Sequence, residues 1–416
     1  MPSATPIPGG PSALPLGSAM GLLTRPGCPV CRYAAEAGER YLAWFALEGH
    51  ADPITLTRLC ASLGACARHT RALMGQPGAA TRLTAVYRYL LQAARAQLAG
   101  PGSRLAACPV CEHDEAAGGR ALEALLDGLP ESGVGERYLE LGGLCWPHVR
   151  AAAGARGCRR AAAWVVRAAA AGTGDQRTGL GVLAGGPDHD ASERARLRAA
   201  LPPEGLISPG ACRICLAAAR AELAALARAA GAAGRPDDGA GGGPRQGICL
   251  CAGHLRDAVL MDGGRAAALL AWHADRQAAG LDQLARSRAR RGGSPGRWLR
   301  GRRSASVDDR CPACLARGRA AGGELQRCRA VPPGAEQPPC VRHVLALRAA
   351  DPATGRVTVG PAARRADVLL GELAEAFRKN TWAFRHEGRG REMSAWRRAA
   401  AFIDGSVFGG CPPEQR

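Results

Sequence analysis

"GGLCWPHV", Gly142–Val149, sets a cysteine three residues ahead of a histidine with a proline between them. Three residues is close to one helical turn, so both side chains share a face when the stretch opens a helix. A single C-x-x-H is a weak signal, but this one recurs. Cys66 and His69 stand in "GACARHT", Cys251 and His254 in "ICLCAGHL", and Cys340 and His343 in "PPCVRHV". Each follows a C-x-x-C pair: Cys28 and Cys31, Cys108 and Cys111, Cys212 and Cys215, Cys311 and Cys314. The gap from the second to the third cysteine is 34, 33, 35 and 25 residues in turn. Recurrence in a fixed order describes a repeat architecture.

The residue types point to metal chemistry. Zinc takes four tetrahedral nitrogen and sulfur ligands, and structural sites leave no position open. In C-P-x-C the proline pre-sets a backbone angle, and the amides that follow can face the sulfurs. A C-x-x-H at a helix start adds the positive end of the helix dipole beside thiolates. Read along the chain, the sets are Cys28, Cys31, Cys66, His69; Cys108, Cys111, Cys145, His148; Cys212, Cys215, Cys251, His254; and Cys311, Cys314, Cys340, His343. In the third set the spacing selects Cys251, whereas the Gly-x-Cys pattern aligns with Cys249. Zinc is the expected cofactor, with an iron–sulfur cluster as the rival.

Composition agrees with a stapled fold. Aromatic residues make up 4% of the 416 positions, and much of the 47% hydrophobic fraction is alanine, which buries little apolar area. Small units with thin cores need a metal or a disulfide. The N-terminus, "MPSATPIPGGPSALPLGSAM", lacks a basic region followed by a continuous apolar run, so it does not read as a signal peptide. No run of about 18 uncharged apolar residues suggests a membrane span. The expectation is therefore a cytoplasmic protein whose paired cysteines are ligands rather than disulfides. Of the 17 cysteines, Cys60, Cys158, Cys249, Cys328 and Cys411 fall outside the sets. Cys60 and Cys158 read as small core residues.

Organisation follows the motifs. Residues 1–26 are rich in Pro, Gly and Ser and read as disordered. Repeats then span 27–100 and 101–171, a linker covers 172–208, and a third repeat covers 209–284. A basic linker follows at 285–308, then a fourth repeat with C-terminal helices at 309–405 and a tail at 406–416. Apolar residues recur at helical spacing in every repeat, as with Leu83, Val86, Tyr87, Leu90 and Leu91. Strand-like alternation is confined to "GRVTVG". The fold class is mainly α, with four helical pseudo-repeats and one Cys₃His site for each.

The formal net charge is +19, and Lys379 is the one lysine among the cationic residues. Such a surface attracts polyanions. "ARSRARRGGSPGRWLRGRRS" holds Arg297, Trp298, Arg300, Arg302 and Arg303, in which arginines can meet phosphates while the indole stacks on a base. Nucleic acid is thus a second partner class beside an unnamed protein partner. The bland alternative is a solvated loop. There is no nucleotide-binding loop, catalytic triad or paired acid and base, so a scaffold or binding module is expected rather than an enzyme. The sequence is silent on oligomeric state.

The Cys28-Pro29-Val30-Cys31, Cys108-Pro109-Val110-Cys111 and Cys311-Pro312-Ala313-Cys314 motifs, with Gly143-Leu144-Cys145, carry a resemblance. So does the tail "FRKNTWAFRHEGRGREMSAWRRAAAFIDG". They resemble an uncharacterised bacterial family, a domain of unknown function with C-P-x-C followed by G-L-C-x-x-H. The likeness covers most of residues 27–405. "CRIC" in place of "CPxC", the doubled "CLC" and the short fourth gap depart from the pattern. The resemblance implies a helical cytoplasmic protein and no particular activity.

Overall fold

The computed structural model describes residues 19–171 apart from 26, 77–78, 101–104, 142, 146–147, 150, 153–154 and 156–158. It further describes 212–233, 250 and 254, then 311–331, and 338–405 apart from 385. The described residues form helices and no strand. The first half holds α1 (Ala19–Leu22), α2 (Pro29–Leu47), α3 (Pro53–Ala61), α4 (Ala67–Met74), α5 (Ala79–Ala99), α6 (Pro109–Gly128), α7 (Val134–Glu140) and α8 (Arg159–Ala171). The second holds α9 (Arg213–Ala233), α10 (Pro312–Ala330), α11 (Val341–Ala350), α12 (Pro352–Lys379) and α13 (Ala395–Asp404).

The C-P-x-C motifs are helix starts. Cys28, Cys108 and Cys311 are the N-caps of α2, α6 and α10, each with extended backbone and a proline in the first turn. Proline suits that position because its missing N–H would have no partner there. None of the three thiols caps its own helix, so each sulfur is available elsewhere. Where no ligand is needed, ordinary caps appear: Asp52 Oδ2 accepts from Thr55 N at 2.7 Å at the start of α3.

Two antiparallel helix pairs frame the molecule. In the first, α2 and α6 cross on small residues. A Cβ added to Gly118 would lie 3.6 Å from Ala34 Cβ, and one added to Gly38 would strike Asp114. Ala37, Gly38, Ala117, Gly118 and Ala121 are buried there. In the second pair, α9 and α10 are joined by Arg213–Glu324 at 3.2 Å and Arg317–Glu222 at 3.8 Å. Both sets of partners rise along one helix while falling along the other, which fixes the antiparallel sense. Alanine and glycine contacts bury little apolar area, whereas a buried leucine contributes about 1.5–3 kcal/mol.

Larger side chains flank the crossings, as with Phe45 of α2 and Leu125 and Leu126 of α6, and many others build a separate core. Leu83, Val86, Leu90, Leu91 and Leu98 of α5 are buried against Leu369 and Leu373 of α12 and Trp396 and Ile403 of α13. This core joins the N-terminal and C-terminal halves. Two arginines of α11 reinforce the seam. Arg342 Nη2 points into the carbonyls of Ser62, Leu63, Gly64 and Ala65, 3.0–3.4 Å away, at the C-terminal end of α3. Arg348 donates to the carbonyls of Gln97, Leu98 and Gly100 at the end of α5. Cationic groups at helix C-termini satisfy orphan carbonyls and oppose the dipole.

One local expectation is overturned. "GRVTVG", Gly355–Gly360, is helical and lies inside α12. Asp351 caps that helix, accepting from Ala353 N and the Thr354 hydroxyl, and Pro352 opens it. The cap and the buried face of Thr354, Thr358 and Ala362 outweigh the β-propensity of the valines and threonine.

Candidate metal centres

Four groups of cysteine and histidine converge, with the ligand atoms of each within 4.8 Å of one another. They are Cys28, Cys31, Cys145 and His148; Cys66, His69, Cys108 and Cys111; Cys212, Cys215, Cys340 and His343; and His254, Cys311 and Cys314. The residues are those expected from the motifs, but their grouping is different. Three C-x-x-C pairs meet the C-x-x-H of the neighbouring repeat or, for Cys108 and Cys111, of the preceding one, and Cys311 with Cys314 meets His254. Each half therefore nests an inner centre within an outer one.

Helix length explains the correction. The sixteen residues of α2 beyond Cys31 carry it about 24 Å away. The C-x-x-H that follows, Cys66 and His69, arrives at the far end of the pair and cannot return to Cys28. α6 starts at that far end and runs back. Its N-terminal Cys108 and Cys111 thus meet Cys66 and His69, while the chain beyond its C-terminus brings Cys145 and His148 to Cys28 and Cys31. The set Cys28, Cys31, Cys66, His69 is replaced accordingly, as is Cys108, Cys111, Cys145, His148. In the second half Cys212 and Cys215 join Cys340 and His343, so the sets built on Cys212 with His254 and on Cys311 with His343 are replaced as well. Cys249 and Cys251, between which the third C-x-x-H was ambiguous, lie outside the described residues. So do Arg297, Trp298, Arg300, Arg302 and Arg303.

The spacing is compatible with a bound metal. In the outer N-terminal centre His148 Nδ1 lies 3.4, 3.3 and 3.1 Å from the sulfurs of Cys28, Cys31 and Cys145. His69 Nδ1 lies 3.5, 3.6 and 3.5 Å from Cys66, Cys108 and Cys111. His343 Nδ1 is 3.4, 3.2 and 3.1 Å from Cys212, Cys215 and Cys340. His254 Nδ1 is 3.4 and 3.3 Å from Cys311 and Cys314. Sulfur pairs stand 3.5 Å apart at Cys31–Cys145 and 3.7 Å apart at Cys66–Cys111 and Cys215–Cys340. These separations exceed a disulfide bond of about 2.05 Å. A tetrahedral ion with metal–sulfur bonds of about 2.3 Å and metal–nitrogen bonds of about 2.0 Å has edges of about 3.5–3.8 Å.

Charge favours a cation in three of the groups. Hydrogen bonds with Cys108 and Cys111 hold the Cys66 thiol far below its ordinary range, while Cys111 is pushed far above by its bonds to Cys108 and Cys66. Cys212 is likewise held down by Cys215 and Cys340, and Cys340 driven up by Cys212 and Cys215. Burial raises Cys28, yet bonds from Cys145, Cys31 and His148 bring it well below the usual value, at the expense of Cys145. One sulfur ionises and its neighbours are then prevented from doing so. A divalent cation removes that conflict and lets all three serve as thiolates.

Two histidines have a further partner. His69 Nε2 lies 3.2 Å from Asp114 Oδ2, and His254 Nε2 lies 2.6 Å from Glu222 Oε1. Burial pulls His69 down, but Asp114 and the sulfurs win and carry it to about 11. The Cys311 sulfur and then Glu222 raise His254 to about 10. These carboxylates went unnoticed in the sequence. The available signal for Asp114 was its place one turn after Cys111 on the same helix face.

Among the described residues, Cys60 and Cys328 are the cysteines outside the four groups. Cys60 packs partly against the main core, and Cys328 is buried beside Cys212 and Cys340. Cys158 and Cys411 lie outside the described residues. Among the described residues no helix is long and apolar enough to cross a membrane. In comparisons with known proteins, the chain matches no family model, no curated protein and no solved structure.

Proposed function

We propose that the protein is a zinc-stapled helical scaffold, an interaction module whose metal sites are structural. The observation that carries this reading is the origin of the ligands. Each centre draws on elements far apart in the chain, as with Cys28 and His148, 120 residues apart. An ion there fixes one helix pair whose own crossing is built of alanine and glycine. Three complete sets each supply four protein ligands, which leaves no position for a reacting water or substrate. Short sulfur–sulfur edges favour a single ion over a polynuclear cluster, because an iron–sulfide body between the thiolates would hold them farther apart. Histidine beside three thiolates suits zinc.

Elemental analysis of protein purified without added metal tests the proposal. Zinc in a colourless, folded preparation is the expected result. A visible charge-transfer band with stoichiometric iron, or a folded metal-free protein, overturns it. Zinc bound to ligand-free cysteine variants as tightly as to the parent also overturns it.

A further inference from the structure

Aligned on their C-x-x-C motifs, the two halves place Gly38 of α2 opposite Glu222 of α9, each ten residues after the first cysteine. By the same alignment Asp114 of α6 corresponds to Arg317 of α10, each six residues after it. In space these residues form facing pairs at one level of each crossing. A Cβ on Gly38 would stand 2.2 Å from Asp114 Oδ1, and Arg317 Nη1 stands 3.8 Å from Glu222 Oε2. Both crossings deliver one carboxylate to the Nε2 of the inner centre's histidine. The first half sends it from α6, with glycine opposite. The second sends it from α9, with arginine opposite. Among the described residues no carboxylate pairs with His148 or His343 of the outer centres.

We infer that Asp114 and Glu222 are positioning residues of the two inner metal centres, one carboxylate requirement met from opposite helices in the two halves. The chemistry is specific. A carboxylate on Nε2 accepts its proton, so the ring keeps the tautomer whose Nδ1 lone pair faces the metal, and the ring plane is held. Side-chain reach fits the exchange: the shorter aspartate serves from the helix whose own cysteines bind the same centre, and the longer glutamate from the helix whose cysteines bind the other one. Gly38 is small because Asp114 passes through the space a side chain would fill. An acid kept only for helix packing has no reason to change helices while retaining the same histidine contact.

The inference rests on the metal-binding reading, and the test separates the two. Full-length zinc-loaded protein is challenged with a chelator and metal release is followed, with circular dichroism as the check on folding. Asp114→Ala should release one zinc equivalent about 10–100-fold faster than the parent and leave the outer-centre equivalents unchanged. Asp114→Asn, which keeps the volume and loses the charge, should fall between. The double variant Gly38→Glu with Asp114→Arg copies the second half onto the first and should restore slow release. Glu222→Ala should speed a different equivalent, which makes its effect additive with that of Asp114→Ala. Parent-like release from both Asp114 variants overturns the inference, as does a folded double variant that releases as fast as Asp114→Ala. A parent that holds no metal refutes the proposed function instead.

Discussion

The nested pairing makes opposite forecasts for two double variants. Cys28 and His148 share a centre across 120 residues, whereas Cys28 and Cys66 belong to different ones. Cys28→Ser and His148→Ala should each cost one metal equivalent, and the combined variant should still cost only one. Cys28→Ser with Cys66→Ser should cost two. The stability changes follow the same logic. A cross-link closing a loop of about 100 residues is worth about 4–5 kcal/mol of chain entropy, and the outer centre ties Cys31 to Cys145 across 114 residues. Either single variant forfeits that tie, so the Cys28/His148 pair should be strongly non-additive, while the Cys28/Cys66 pair adds. Elemental analysis after gel filtration gives the stoichiometry, and urea melts give the coupling. If Cys28→Ser/His148→Ala sheds two equivalents and Cys28→Ser/Cys66→Ser sheds one, the crossed grouping is wrong and each repeat binds its own ion.

Arg342→Ala should weaken the seam between the halves by about 1–3 kcal/mol, because buried carbonyls at the end of α3 lose a charged donor; an unchanged melting curve refutes the capping role. Gly405→Ala should release the outer C-terminal metal selectively, since a Cβ there would lie 2.0 Å from Cys215 Sγ on a backbone with φ +73. Retention of that equivalent in a chelator assay counts against the packing. Chelated and zinc-loaded protein should differ on the alkaline side. In chelated protein Cys111, Cys145 and Cys340 have folded values above the ordinary 9.0. Their stabilisation is present below about 9 and lost as pH rises past it. Both forms should lose stability on acidification, the chelated one as the depressed Cys28, Cys66 and Cys212 take up protons and the zinc-loaded one as protons displace metal from thiolates. Thermal melts of both forms between neutral pH and about pH 10 check the alkaline half of this, and parallel curves refute it. Cys251→Ser should cost one metal equivalent while Cys249→Ser costs none; the reverse result makes Cys249 the fourth ligand of the inner C-terminal centre.

The helices were legible because their signals are local. Proline after a cysteine marks the starts of α2, α6 and α10, and the stripe from Leu83 to Leu91 marks the buried face of α5. The cysteines and histidines that converge were legible for the same reason. Grouping was not, because spacing along the chain says nothing about the direction in which a 19-residue helix carries its ends. The buttressing carboxylates were equally hidden: Asp114 and Glu222 occupy non-equivalent motif positions, so comparing repeats by eye shows a glycine and an arginine where a match would be sought. Gly355–Gly360 misled because alternation measures propensity and ignores the cap at Asp351.

Closed brackets within brackets have a consequence for synthesis. As the chain leaves the ribosome, Cys28, Cys31, Cys66 and His69 are all present before Cys108 exists. That early quartet has a full complement of ligands and the wrong partners. A rigid α2 is the safeguard, since a formed helix keeps its two ends apart until α6 arrives. Once it does, the inner closure spans 45 residues against 114 for the outer, an entropic advantage of about 0.8 kcal/mol. It also draws in the slack that the outer closure must bridge. The second half repeats the order, with 57 residues against 125. A metal held there would therefore enter from the inside outward, and any change that lets α2 fray early turns the quartet Cys28, Cys31, Cys66 and His69 into a trap.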